Sequence, residues 1–154
     1  MFRPCLRWLV LVSALGLLAG CGGTTNRPRD DGGPTDTPFA MQVERGAALY
    51  ADNCARCHGA MGEGTELAPR LVGLDEGALP LDPRPTQTLR TTQFVTALDV
   101  GTFAAANMPF DDPGSLELDE YLAILAFALF ANGFTALEEA LTLENAGNLV
   151  IPRE

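Results

Sequence analysis

Residues 53–62, NCARCHGAMG, hold two of the four cysteines and the only histidine of the 154-residue chain. Cys54, Cys57 and His58 fall within one pentad, and three chemistries use such a set. A redox dithiol needs its CxxC beside a βαβ pattern, and no run of β-branched residues supplies one. A zinc site needs four ligands, and no second Cys or His cluster completes it. Covalent haem attachment uses all three residues. The two thiols add to the vinyl groups of the porphyrin, and the adjacent imidazole faces the iron as proximal ligand. The pentad is therefore expected to carry one haem c, with iron as the metal. A plain CxxC disulfide would leave the histidine without a role.

A distal ligand is then needed. A second histidine does not exist in the chain, so it must come from another residue type. Met61 lies too close to His58 to reach around the ring, and Met41 belongs to the start of a helix. Met108, in ANMPF, stands fifty residues beyond His58. Asp99 can cap a short helix with Val100, Phe103 and Ala104 on one face. Asn107 can end that helix, and Pro109 prevents its continuation. The thioether would thus be presented from a rigid non-helical loop. A thioether that merely fills the core is the alternative.

The elements that position these residues begin after a processed leader. Arg3 and Arg7 precede a 12-residue apolar run, Trp8 to Ala19. That is the length of a signal-peptide core and too short to span a bilayer, which needs ~20 residues. The run ends in LAGC, which resembles a bacterial lipobox, so residues 1–20 read as a signal peptide and Cys21 as the lipidated residue. Acyl chains on Cys21 would anchor the protein stably, since each buried CH₂ contributes ~0.8 kcal/mol. Gly22 stands where an Asp is the usual inner-membrane retention signal, which favours the outer membrane. Residues 22–38 are Gly-, Pro-, Thr- and Asp-rich and cannot bury a core, so 21–38 reads as lipidated cysteine plus tether. The tether would span ~23 Å on average.

Residues 39–154 suffice for one core. Loss of the leader leaves eight Arg, no Lys and twenty acids, a formal charge of −12. Such a surface excludes nucleic acid and favours partners with a positive patch. Val43, Gly46, Ala47 and Tyr50 recur at helical spacing. Leu118 to Ala131 reads as a second helix, with Leu118, Tyr121, Leu122, Leu125 and Leu129 on one face and Ile124, Phe127 and Phe130 elsewhere. A helix apolar all round must be covered all round. The tail LEEALTLENAGNLVI is expected to fold over one of its sides.

In VERGAALYADNCARCHG, GEGTELAPRLVG and NMPFDDPGSLELDEYLAILAFAL the chain resembles the class I c-type cytochromes over about residues 39–132. With FANGF added, it looks most like the small cytochrome domains that accompany pyrroloquinoline-quinone dehydrogenases. The resemblance implies an all-α cytochrome c fold whose N- and C-terminal helices cross around one covalent haem. It implies that the Pro69 carbonyl accepts a hydrogen bond from His58 Nδ1 and that Leu71 packs on the proximal haem face. The Pro-rich stretch 74–90 would be the loop beneath the haem, with Arg84 and Arg90 each able to meet a propionate or solvent.

With His58 and Met108 closing both axial positions, the expected function is an electron carrier rather than an enzyme. It would move single electrons between periplasmic redox partners, a quinoprotein dehydrogenase or a terminal oxidase among them, from a lipid anchor on the membrane. Two alternatives stand beside it. One is a peroxidase or gas-sensing domain whose Met108 dissociates, and the other is a fixed electron-transfer subunit of a dehydrogenase complex.

Overall fold

The computed structural model describes residues 37–83 and 89–153. The expected signal peptide, Cys21 and most of the tether (1–36) lie outside the described residues, as does Arg84. Among the described residues five helices follow in order: α1 (Pro38–Asn53), α2 (Ala55–His58), α3 (Ala97–Asn107), α4 (Leu118–Ala131) and α5 (Leu143–Ala146). A 3-10 turn covers Leu74–Glu76. There is no strand among the described residues, only an isolated bridge between Thr96 and Val150. The fold is all-α.

Thr37 and Pro38, the last residues of the expected tether, open α1. Thr37 Oγ1 accepts the Ala40 amide at 3.2 Å, and Pro38 occupies a first-turn position where its missing N–H costs nothing. Val43, Gly46 and Tyr50 are buried on the inner stripe, and Ala47 is half-buried. That stripe packs on α4, the most extensive contact between any two elements. The crossing point is Gly46, where a Cβ would lie 1.9 Å from the Ala123 carbonyl oxygen. A mid-helix glycine costs ~1 kcal/mol in propensity, and here it allows the two backbones to touch. One turn further, the Tyr50 and Phe127 rings sit 5.0 Å apart.

α4 begins with a reciprocal cap, the Glu117 amide donating to Glu120 Oε2 at 2.9 Å. Its buried side chains are Tyr121, Ala123, Leu125, Ala126, Ala128 and Leu129. Leu118, assigned from its spacing to the packed face, is 49% exposed at the first turn, whereas Ala123 and Ala126 are fully covered. Close crossing selects small side chains, which a search for large apolar residues passes over.

α3 starts earlier than its sequence suggests. Thr96 is the cap, accepting from the Asp99 amide, and Asp99 sits inside the first turn. The Asp99 carboxylate takes the Val95 and Thr96 amides, each at 2.8 Å, and these bonds hold its carboxyl below the ordinary carboxylate range. Thr96 and Asp99 form a capping box, so either residue alone looks like the boundary. The far end falls at Asn107, and Met108 is the cap residue.

The chain after α4 returns over the helices. Glu138 supplies a carbonyl to the Phe39 amide, and the Gln42 side chain makes a matched pair of bonds with the Leu141 backbone. Leu141 and Ala146 join Phe39, Val43, Ala97, Leu125, Ala126 and Leu129 in one core cluster. The Leu149 carbonyl accepts the Ala97 amide, and Arg153 donates to the Phe94 carbonyl. The tail therefore fixes the start of α3 and the end of the loop before it.

Within that loop Arg90 is buried. Its terminal nitrogens donate to the carbonyls of Pro80, Leu81, Asp82 and Thr92, and the guanidinium lies 3.7 Å from the Phe94 ring centroid. Nε has no partner among the described residues. Arg90 is neither solvated nor open at its fork: its terminal donors organise the loop around themselves.

Candidate haem-attachment site

Cys54 ends α1 and caps α2, so the attachment pentad is one helical turn set directly against the end of a long helix. Its amide bonds to the Tyr50 carbonyl at 2.8 Å, while the Cys57 and His58 amides return to the Cys54 carbonyl. The turn brings Cys57 and His58 on α2 together with Cys54 at its cap. Gly59 ends it with φ 87° and ψ 154°, a region essentially closed to other residues. The buried Tyr50 hydroxyl donates to the Gly59 carbonyl at 2.7 Å, tying that reversal back to α1. Burial pushes the Tyr50 phenol up to about 12, so it remains a donor across the physiological range.

The loop after Gly59 folds back on the pentad. Gly64 donates to the His58 carbonyl at 2.7 Å, and the Thr65 hydroxyl donates to the Cys57 carbonyl. This brings Pro69 to His58, with Nδ1 2.7 Å from the proline carbonyl oxygen. A carbonyl can only accept, so Nδ1 carries the proton and Nε2 keeps its lone pair. Burial lowers the His58 pKa, opposed by the Pro69 bond, which leaves the ring neutral near pH 7. A neutral imidazole with one nitrogen bonded to a carbonyl is in the tautomer and orientation that metal ligation requires.

The cysteines are both free and half-buried. Burial, reinforced by Cys57, pushes the Cys54 thiol up to about 11, so it is protonated at neutral pH. Among the described residues no group of three or more His, Cys, Asp or Glu is placed to hold a metal ion. With no further His, Cys, Asp or Glu grouped beside it, and no βαβ unit among the described residues, the set fits haem c better than zinc or a redox dithiol. Cys54 and Cys57 would hold the porphyrin and His58 its iron.

Leu71, expected on the proximal face, is half-buried two residues beyond Pro69, its amide bonded to Gly62. Sequence reasoning passed over what holds it there. Asn132, at the end of α4, donates to the Leu71 carbonyl at 2.8 Å and accepts the Gly73 amide at 2.9 Å. A lone amide side chain closing an apolar helix, followed by glycine, was the available signal. Met108 is half-buried, its amide bonded to the Ala104 carbonyl at 2.8 Å. Its own carbonyl accepts the Tyr121 hydroxyl at 2.5 Å. Met41 and Met61 are exposed, at 60% and 71%. From Tyr121 to Asn132 α4 rises about 16 Å, and it fastens the Met108 loop near one end and the Pro69–Leu71 segment at the other.

A helical fold with crossing terminal helices and a Cys-x-x-Cys-His turn backed by a proline carbonyl defines a class I c-type cytochrome. Residues 41–127 match the family described as cytochrome c oxidase, cbb3-type, subunit III. The chain belongs to that family. It is also similar to a chain in the crystal structure of the sulfane dehydrogenase SoxCD from Paracoccus pantotrophus. The two share 38% identity with a TM-score of 0.55, over 71% of this chain and 53% of that one. This chain thus spans about half the length of that relative. No curated protein gives a significant match.

Proposed function

We propose that this protein is a lipid-anchored carrier that passes single electrons between periplasmic redox partners, with one haem c per chain. The observation that carries the reading is the 2.7 Å contact of His58 Nδ1 with the Pro69 carbonyl beside two free thiols. It leaves one nitrogen of a fixed, neutral imidazole for iron. Haem c supplies a one-electron couple when bound. The chain's part would be to fix the ring through His58, to offer the Met108 thioether as second ligand and to limit access to the metal. His/Met ligation gives a higher potential than bis-His ligation.

Electron exchange needs a surface near the attachment turn. Met61 and Leu67 lie in the loop bonded to Cys57 and His58, and Phe110 precedes Asp111, which pairs with Arg56; all three apolar side chains are exposed. Glu63, Glu66 and Asp112, near them in sequence, are also exposed. Exposed apolar side chains with exposed acids close to them in sequence suit a partner with a basic rim. The second-order electron-transfer rate with such a partner should fall about tenfold or more between 10 mM and 500 mM salt. A rate indifferent to salt would leave apolar contact alone in charge of docking.

The likeness to a sulfane dehydrogenase chain favours a second reading, a subunit held in a dehydrogenase complex. Stable co-purification from detergent-solubilised membranes with an oxidoreductase subunit supports it, and recovery as a free monomer supports the mobile carrier. The anchor has its own test. Cys21→Ser should accumulate as unprocessed precursor without acyl mass. Wild-type protein that leaves membranes in salt alone would remove the anchor from the reading and leave the carrier intact.

A further inference from the structure

The loop carrying Met108 is fastened twice. Near its base, the buried Tyr121 on α4 donates to the Met108 carbonyl at 2.5 Å. The other donor to that oxygen among the described residues is the Gly114 amide, at 3.4 Å and therefore weak. Near its tip, Asp111 accepts from Arg56 at 2.6 Å, and Arg56 lies between the two cysteines of the attachment turn. Between these points the loop closes on itself, with the Asp112 amide on the Pro109 carbonyl at 3.0 Å.

We propose that Tyr121 and the Arg56–Asp111 pair are positioning residues that clasp the Met108 loop, and that they set how often the distal side opens. The inference rests on Met108 as the axial residue. A methionine side chain has three rotatable bonds, so its aim depends on how firmly its own backbone is held. Backbone anchoring at the carbonyl acts on the residue itself, whereas the ion pair acts three residues away. The two ties also respond differently to solvent. The Tyr121 bond joins a buried phenol to a carbonyl and is indifferent to salt. The Arg56–Asp111 pair is largely exposed on both sides and is screened within a Debye length. Asp111 is nevertheless held below the ordinary carboxylate range, first by its bond to Arg56.

The test uses full-length protein with its haem attached, reduced, and mixed with carbon monoxide as a probe of the distal side. Tyr121→Phe removes one oxygen and keeps the ring that packs in the core. It should bind carbon monoxide about tenfold faster than wild type, with a reduction potential shifted toward that of Met108→Ala. Arg56→Gln should bind about threefold faster at 10 mM salt, and Arg56→Lys should recover most of the difference. In 1 M salt wild type should match Arg56→Gln. A Tyr121→Phe protein that melts lower but keeps the wild-type rate and potential would make Tyr121 a core residue only and overturn the clasp. If Tyr121→Phe does not fold, a wild-type rate unmoved by salt and by Asp111→Asn overturns it. Wild type binding as fast as Met108→Ala would instead overturn the axial role of Met108, a separate outcome.

Discussion

Gly46→Ala should be strongly destabilising although it adds only one methyl. Its Cβ would stand 1.9 Å from the Ala123 carbonyl oxygen, so α1 and α4 must separate where they pack most closely. Alanine gains ~1 kcal/mol of helix propensity over glycine. Forced repacking of a tight contact costs about 3 kcal/mol, so the net loss should be roughly 2 kcal/mol. For a domain of this size that lowers the melting temperature by ~10 °C. Gly101→Ala is the matched control. Its Cβ would meet only the Leu125 Cδ2 methyl at 3.0 Å, which a rotamer adjustment relieves, so its effect should be close to neutral. Equal melting temperatures for Gly46→Ala and wild type, by circular dichroism, would mean that the helices do not cross there.

Met108→Ala should leave haem attached and change what the iron can bind. Cys57 and His58 on α2 and Cys54 at its cap are untouched, so haem should stay on the chain through denaturing electrophoresis. Removing the Met108 thioether, which as a ligand would favour ferrous iron, should lower the reduction potential. Access should change most. If the distal bond is closed 99% of the time, apparent affinity for an added ligand is reduced roughly 100-fold, and the variant should regain that factor. Loss of haem from the variant on denaturation would place attachment, not ligation, at fault.

How much of this was legible before folding differs by residue. The pentad was legible as a unit because it is local: Cys54, Cys57 and His58 are contiguous in sequence, and one short turn with its cap brings them together. The span of α4, Leu118 to Ala131, was legible as an apolar run between polar boundaries. The start of α3 was placed too late at Asp99, because Thr96 and Asp99 cap reciprocally and both carry the signal. Tyr121 was read as a core side chain from its spacing. The ring is indeed buried, but its hydroxyl reaches a backbone carbonyl thirteen residues earlier, and no periodicity encodes that. Asn132 and Arg90 escaped for the same reason. Their partners are main-chain carbonyls and amides that converge only after the loops close, as with the four carbonyls around the Arg90 terminal nitrogens. Side chain to side chain patterns leave traces in a sequence, and side chain to backbone contacts across loops leave few.

The carrier reading stands or falls on whether the distal position is closed in the working protein. The direct measurement is the visible spectrum of wild-type holoprotein in both oxidation states, followed by stopped-flow mixing of the reduced form with carbon monoxide. If His58 and Met108 both ligate the iron, both states should be low-spin, and binding should be slow and limited by opening of the distal loop. A high-spin spectrum in either state, or binding as rapid as in Met108→Ala, would contradict the carrier reading and leave a ligand-binding or peroxidase role in its place.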